Sequence, residues 1–171
     1  MRQTTNMNRR AIFMLSILAC LSLRAELPER TVSPSQQFII YGANAALRGA
    51  LSELAEQTKA NLIALLQQHD RWTTPIVINL QPQQANLPEI PPTDLRFSQT
   101  GSGLKLQVDL TIAQNLDASL TEREILRAIL LEMIYRNQPD IAPGTIFIEP
   151  PDWLLDGVLA LAGRTRPRPS C

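Results

Sequence analysis

Residues Thr121–Arg136, TEREILRAILLEMIYR, predict the central helix of the fold, because their apolar side chains recur around most of a helix. The pattern Thr121-x-x-Glu124 is typical of a capping box and predicts a helix that begins there and runs to about Asn137. A helix that is apolar on nearly every side lies inside a protein rather than on its surface. We therefore expect the other elements to pack around this one.

Glu132 is the exception in the middle of this apolar helix. A buried carboxylate is costly unless it has a partner. Arg136 follows four residues later, in the favourable acid-before-base order, and predicts an ion pair within the helix. This structural reading of Glu132 stands beside a functional one that rests on a resemblance given below.

The other segments predict one α+β domain with a mixed sheet, in the order β-α-β-β-β-α-α. These segments are a strand at 37–41, a long helix at 44–69, a strand at 75–80, a hairpin of 95–99 and 104–110, and a last helix at 153–162 that is capped by Asp152 and ended by Gly163, with a short strand at 146–148 as a further option. The run PIVINL at 75–80 is apolar throughout, as in a strand covered on both faces. On the long helix, four polar residues lie off the leucine stripe: Arg48, Glu53, Gln57 and Lys59.

Residues 1–25 are expected to be a signal peptide. Three arginines precede an uncharged apolar run of 13 residues, 11–23, which is shorter than the ~20 residues that span a bilayer. Two endings stay open: cleavage after Ala25, or lipidation of Cys20 in the lipobox-like sequence ILAC. The chain is therefore expected in the periplasm or cell envelope, where it meets a membrane only through the signal segment or a lipidated Cys20.

Composition limits the classes of partner. The 171 residues carry 16 basic and 16 acidic side chains, and removal of residues 1–25 takes away four arginines, which leaves 12 basic against 16 acidic. A mildly acidic domain is a poor binder of phosphate backbones, so no nucleic acid is expected. After cleavage behind Ala25, Cys171 is the one cysteine left, and no internal disulfide can form. We divide the remainder into a linker at 26–36, a domain at 37–163 and a tail at 164–171.

The helix and a second segment together resemble a known enzyme family. Residues 150–160, PPDWLLDGVLA, follow the apolar helix and look like the P-x-W-L-x-E-G-x-A segment of the peptidase-MA group of gluzincin metallopeptidases. Members carry H-E-x-x-H on a buried helix about twenty residues earlier. The upstream order of strand, long helix, strand and hairpin is similar too, so the resemblance covers residues 37–163. It implies a zincin-like mixed sheet with a long N-terminal helix, a buried former metal helix and a short C-terminal helix.

Carried over by position, the resemblance places the two histidines at Leu131 and Tyr135, the general-base glutamate at Glu132 and the third ligand at Asp156. A catalytic zinc needs three protein ligands and an open position for water. Leu131 has no donor atom, and a phenol with a pKa near 10 is a poor ligand. His69, the single histidine, is expected to face water beyond the end of the long helix. We therefore expect no catalytic residue, no cofactor and no metal.

Two further readings concern Asp156. Its place in the first turns of a helix is a favourable one for a negative charge. Alternatively, the Tyr135 hydroxyl donates a hydrogen bond to Asp156 across the former metal position, so that the two groups satisfy each other.

The function that follows is a pseudoenzyme that binds a peptide or an envelope protein. The strand before the metal helix resembles a peptide-pairing edge in active relatives, which predicts strand addition at Leu104–Leu110 and its loss on Val108→Pro. The alternatives are a hydrolase that uses Glu132 with a metal or group from a partner chain, and a purely structural lipoprotein. Relatives usually continue with more helices after the P-x-W-L segment, so a truncated member is a further expectation.

Overall fold

The structure, a computed structural model, describes residues 29–83, 91–100, 103–112, 116–136, 138 and 146–165. The predicted signal peptide, Cys20 and residues 166–171 of the predicted tail lie outside these ranges. The described part is an α+β fold, as predicted, with five strands and three helices. Their bounds are β1 Arg30–Val32, β2 Phe38–Gly42, α1 Ala45–Leu66, β3 Ile76–Pro82, β4 Thr93–Thr100, β5 Gly103–Ile112, α2 Ala118–Tyr135 and α3 Asp152–Thr165.

The strands form one mixed sheet in the order β1-β2-β3-β5-β4. The central strands β2, β3 and β5 are parallel, and the outer strands β1 and β4 run antiparallel to their neighbours. Parallel neighbours need a crossover, and α1 provides it between β2 and β3. The outer strand β4 comes next in the sequence, and β5 follows it and lies between β3 and β4 in the sheet.

The core lies between one face of the sheet and the helices. Alternate side chains of β2, β3 and β5 are buried on this face, namely Phe38, Ile40, Ile76, Ile78, Leu80, Leu104, Leu106, Val108 and Leu110. The opposite face holds the half-buried Val77 and Asn79 of β3. The prediction that β3 is covered on both faces is therefore confirmed on the helix side, while the opposite face of this strand is only half-buried, because the described helices pack on one side.

Helix ends follow local side-chain chemistry. Asn44 caps α1, where its side chain accepts from the backbone N–H of Leu47 at 2.8 Å. At α2, Asp117 is the N-cap and accepts from the backbone of Ser119 at 2.9 Å. The predicted capping box at Thr121 thus starts the helix one turn too late, since the aspartate upstream satisfies the free N–H groups first.

Other boundaries also need correction. The predicted linker 26–36 contains β1, whose three residues pair with Ile39–Tyr41 of β2. The option of a strand at 146–148 is wrong, since these residues form no ladder. α3 continues through Gly163 to Thr165, two residues into the predicted tail. None of the described helices combines the length and apolarity needed to cross a membrane.

Gly42 shows why the chain turns sharply between β2 and α1. Its φ is +80°, a left-handed value that favours glycine. A Cβ atom there would lie 2.1 Å from the carbonyl oxygen of Leu80, so the close approach of β2 and β3 also excludes a side chain. Glycine at this position sets the direction in which α1 leaves the sheet.

Candidate functional site

The position that corresponds to the first histidine of the H-E-x-x-H motif holds a core leucine. Leu131 lies on α2 and is fully buried in the hydrophobic cluster beneath the sheet. Its side chain has no lone pair to offer a cation, while zinc sites use Cys, His and carboxylate donors. Packing in the hydrophobic core is therefore sufficient to explain a leucine at this position.

Tyr135, at the second predicted histidine position, holds a loop segment in place. Its hydroxyl accepts a hydrogen bond from the backbone N–H of Ile148 at 2.8 Å, and the residue is 7% exposed. Its ring meets that of Phe147 edge to face, with centroids 5.2 Å apart. The hydroxyl therefore satisfies the backbone of the segment that leads into α3.

Asp156 does not meet Tyr135. Its side chain is 66% exposed, and its carboxylate lies 3.3 Å from the Nε of Arg123 on α2. Arg123 also lies 3.0 Å from Asp152 at the start of α3. The predicted hydrogen bond from Tyr135 to Asp156 is therefore wrong, because α3 turns this carboxylate toward the arginines of α2. The predicted place of Asp156 near the start of the helix is confirmed, with Asp152 as the acidic residue of the first turn itself.

Glu132, the predicted general-base position, is paired as its spacing predicts. The carboxylate lies 2.7 Å from Arg136, which also donates to the carbonyl of Arg71 and lies over the Trp72 ring at 5.3 Å from its centroid. Burial raises the pKa of Glu132, and the charge of Arg136 opposes that shift. A backbone hydrogen bond from Thr73 also favours the ionised form of this carboxylate, and its oxygen that does not contact Arg136 is buried.

His69 lies just past the end of α1 and is exposed, as predicted. It lines a cleft of about 460 Å³ together with Arg71, Met133 and Arg136 among others. Within the described ranges, no three His, Cys, Asp or Glu side chains come close enough together to hold a metal ion. Leu131 and Tyr135 share the hydrophobic core, while the polar groups of Glu132, Tyr135 and Asp156 each have a different partner.

The predicted peptide-pairing strand is not at the edge of the sheet. Leu104–Leu110 lies in β5, which pairs with β3 on one side and β4 on the other. The edge prediction for this segment is wrong because the hairpin folds β4 to the outside. No described strand pairs with the far side of β4.

The backbone of β4 offers hydrogen-bonding groups on that far side. The carbonyl of Pro92 accepts from the N–H of Thr111 at 2.9 Å, so Pro92 faces Thr111 at a hydrogen-bonded position of the ladder. Such pairs alternate along an antiparallel ladder. The N–H and C=O groups of Thr93, Leu95 and Phe97 therefore point away from β5. We call these three outward backbone positions the open edge.

Apolar side chains lie beside the open edge. Phe97 meets Phe147 edge to face, with ring centroids 4.7 Å apart, so the segment 146–148 packs on the helix-covered side of β4. Ile146 and Ile148 on either side of Phe147 are 89% and 78% exposed. A strand added at the open edge would find an apolar surface beside it.

Sequence reasoning missed a buried polar network on α1. Lys59 is 4% exposed, and its ammonium contacts Glu56 at 2.9 Å, Asp70 at 3.2 Å and the side chain of Gln37. Burial works against ionisation of Glu56, yet hydrogen bonds from serine hydroxyls and Lys59 prevail and lower its pKa to about 2. The signal was present as helical spacing in a second stripe that mixes polar and apolar residues: Arg48, Ser52, Ala55, Lys59 and Leu62. The prediction placed Arg48 and Lys59 off the leucine stripe and did not assign them to the buried part of the helix.

Comparison of the chain with protein-family models, with curated proteins and with solved structures gave no match. The resemblance to peptidase-MA enzymes therefore rests on the motif residues quoted above. It remains a prediction, as do the export of the chain and its lack of catalysis.

Proposed function

We propose that this chain is an exported, non-catalytic domain that binds an extended polypeptide along the open edge of β4. Its ancestry in this proposal is a gluzincin of the peptidase-MA type, with α2 as the former metal helix and α3 as the former third-ligand helix. The donor set supports the loss of chemistry, because Leu131 contributes a hydrocarbon and Asp156 forms an ion pair with Arg123.

Export is supported by the basic start and the apolar run at 11–23 of the sequence. The chain is then released by cleavage after Ala25, or anchored through a lipid on Cys20. Incorporation of radioactive palmitate separates the two endings, since a lipidated Cys20 retains the label and a chain cut behind Ala25 does not.

The open edge is the observation that carries the proposed binding function. An edge strand presents a row of unpaired N–H and C=O groups that another strand can use, and main-chain hydrogen bonds of this kind bind peptides without a metal. β4 has eight residues, and Phe97 of the open edge packs against Phe147 on the helix side of the sheet. Both features favour an extended peptide with apolar side chains at alternate positions.

A proline at the centre of the open edge tests this function. The purified protein is used to select binders from a displayed library of random twelve-residue peptides, and the same selection is repeated with Leu95→Pro. The outward N–H of Leu95 is lost in this variant, while the bonds of β4 to β5 are kept. Leu95→Ala is the matched control, because it loses the same side chain and keeps the N–H.

The expected result is enrichment of peptides on the parent protein and on Leu95→Ala, and at least a tenfold weaker enrichment on Leu95→Pro. Equal enrichment on the proline and alanine variants would show that the peptides bind elsewhere. A parent protein that enriches no peptide would also sink the proposed function.

One observation favours a second candidate, a hydrolase completed by a partner. Glu132 keeps a buried carboxylate oxygen that Arg136 does not contact, and such an oxygen is the kind of group that accepts from a metal-bound water or a partner's donor. Elemental analysis of the protein purified from its envelope fraction distinguishes the candidates. Stoichiometric zinc together with chelator-sensitive peptidase activity, lost in Glu132→Gln, would establish the hydrolase. The pseudoenzyme is expected to show neither.

A further inference from the structure

Two charged side chains of β4 are arranged so that the strand is complementary in charge to an antiparallel copy of itself. Asp94 and Arg96 are both exposed and lie two residues apart on the sheet face away from the helices. Thr93, Leu95 and Phe97 carry the outward backbone groups between and around them. An acid and a base that flank one central residue become complementary when the strand is turned around and set beside a copy of itself.

From this pattern we propose that the open edge pairs with the open edge of a second copy of this chain, antiparallel and centred on Leu95. The inference rests on the proposed function, in that the edge must accept a strand, and it names a partner for it. Leu95 then faces Leu95 of the second copy, and Thr93 faces Phe97 in both directions. Each of these facing pairs joins outward groups to outward groups and can exchange two backbone hydrogen bonds.

Charge selects this register over its neighbours. With Leu95 at the centre, Asp94 lies opposite Arg96 of the second copy, and the reverse pair forms as well. Moving the centre by one residue places Arg96 opposite Arg96, or Asp94 opposite Asp94. Opposite charges on facing strands attract and like charges repel, and these positions fall in the pairs whose side chains are closest.

The arginine has room for the added carboxylate. In its own chain, Arg96 lies 2.9 Å from Asp94 and 3.1 Å from Asp109, and its side chain is still 64% exposed. A guanidinium has five donors in a planar fork, more than these two contacts use. The two Asp residues hold the group over the sheet face on which the second copy's Asp94 would lie.

The residues around β4 are compatible with a partner strand that pairs with the residues after Pro92. Pro91 and Pro92 precede β4 and limit how far a ladder can extend in that direction. On the helix side, Leu95 of each copy meets the other, next to the apolar segment around Phe147. The two five-stranded sheets would form one continuous sheet with the helices of both copies on the same side.

Two charge reversals, studied alone and mixed, test the pairing. Asp94→Arg gives a strand whose facing charges are both positive, and Arg96→Asp gives one whose facing charges are both negative. A mixture places the positive strand beside the negative strand and restores both attractions. Because each variant carries the same disturbance within its own chain when alone and when mixed, a gain on mixing reports the contact between copies.

Sedimentation equilibrium is the measurement, with circular dichroism to show that each variant folds. The parent protein is expected to be dimeric at micromolar concentration, each single variant to dissociate at least about tenfold more readily, and the equimolar mixture to recover the affinity. Leu95→Pro is expected to be monomeric and Leu95→Ala to remain a dimer. A monomeric parent protein, or a mixture that associates no better than the single variants, would overturn the self-pairing.

The proposed function and the self-pairing fail in different ways. If the library selects peptides whose binding depends on the Leu95 N–H while the parent protein is monomeric, the binding function stands and the second copy is not the partner. If the charge mixture restores a dimer and no peptide is selected, the edge accepts its own copy alone, and the general peptide function is excluded.

Discussion

The two edges of the sheet differ in length and in what surrounds them. β1, at one edge, has three residues, and the buried guanidinium of Arg48 beside it contacts Thr31, the carbonyls of Gly42 and Ala43, and Glu29. β4, at the other edge, has eight residues, and its outward backbone groups have no partner strand among the described residues. Short edge strands resist further pairing, while long ones invite it.

This difference between the two edges indicates where a partner strand can be added. Arg48 consolidates the β1 edge with bonds inside the chain, so that this edge is part of the stable framework. The open edge of β4 keeps its hydrogen-bonding capacity available. We expect substitutions at the first edge to change the free energy of unfolding and substitutions at the second to change association.

The largest effect on the free energy of unfolding is expected for Val108→Pro in β5, the strand next to β4. Val108 is fully buried, and β5 pairs on both sides, so a proline there removes a ladder hydrogen bond and a core side chain together. We expect the free energy of unfolding to fall by more than about 3 kcal/mol, measured by urea denaturation. A loss no greater than that of Leu95→Pro would mean that β5 is not an interior strand.

Arg48→Met tests the closed edge. The substitution leaves two backbone carbonyls and Thr31 without their donor, and buried groups left unpaired are costly. We expect a loss of about 2 kcal/mol in the free energy of unfolding. Arg30→Met is the matched control, because Arg30 is an exposed arginine on β1 and should change stability by less than about 0.5 kcal/mol. Equal losses in the two variants would contradict the role given to Arg48.

Glu56→Gln tests the turn that joins β1 to β2, since Glu56 accepts from the backbone of Ser35 in that turn at 3.1 Å. The pKa of Glu56 is lowered to about 2, from 4.5, so its ionised form stabilises the fold above pH 4.5, and this contribution is lost as the pH falls toward 2. Because the carboxylate is partly open to solvent, we expect only about 1 kcal/mol.

The measurement is the stability difference between the parent protein and Glu56→Gln at pH 7 and at pH 2. The difference should be present at pH 7 and smaller at pH 2. A difference that grows as the pH falls would have the wrong sign for a lowered pKa and would refute the network.

The smallest effect on the free energy of unfolding is expected at the open edge. Leu95→Pro and Leu95→Ala both remove a half-buried side chain, and the N–H that the proline lacks points away from β5 and pairs with no described strand. In dilute solution, where the chain is monomeric, the two variants should unfold within about 1 kcal/mol of each other. A much less stable proline variant would indicate that the Leu95 N–H is already bonded within one chain.

Strong local patterns allowed much of the fold to be predicted. The spacing of leucines located α1, the alternation of Leu104, Leu106 and Val108 located β5, and the apolar run at 75–80 located β3. β1 was missed because three polar and β-branched residues carry no periodicity. The order of β4 and β5 was missed as well, since a hairpin has the same sequence pattern whichever arm lies outside.

The candidate site was predicted in part. The Glu132–Arg136 pair followed from spacing alone, and it is confirmed. The contact of Tyr135 with Ile148, and of Asp156 with Arg123, depends on how α3 and the segment before it pack on α2. Such long-range packing leaves no local sequence pattern. For the same reason, the burial of the charged side chains of Arg48 and Lys59 could not be predicted from the sequence.

The outward amides of β4 are proposed to be free in one chain and to become hydrogen-bonded when a strand is added. Amide hydrogen exchange of the parent protein, followed by NMR over a range of protein concentrations, measures this directly. We predict that the amides of Leu95 and Phe97 exchange fast in dilute solution and become protected as the concentration rises, while the inward amide of Arg96 is protected throughout. Protection of Leu95 and Phe97 that is equally strong at every concentration would contradict an open edge, and fast exchange at every concentration would contradict strand addition by a second copy.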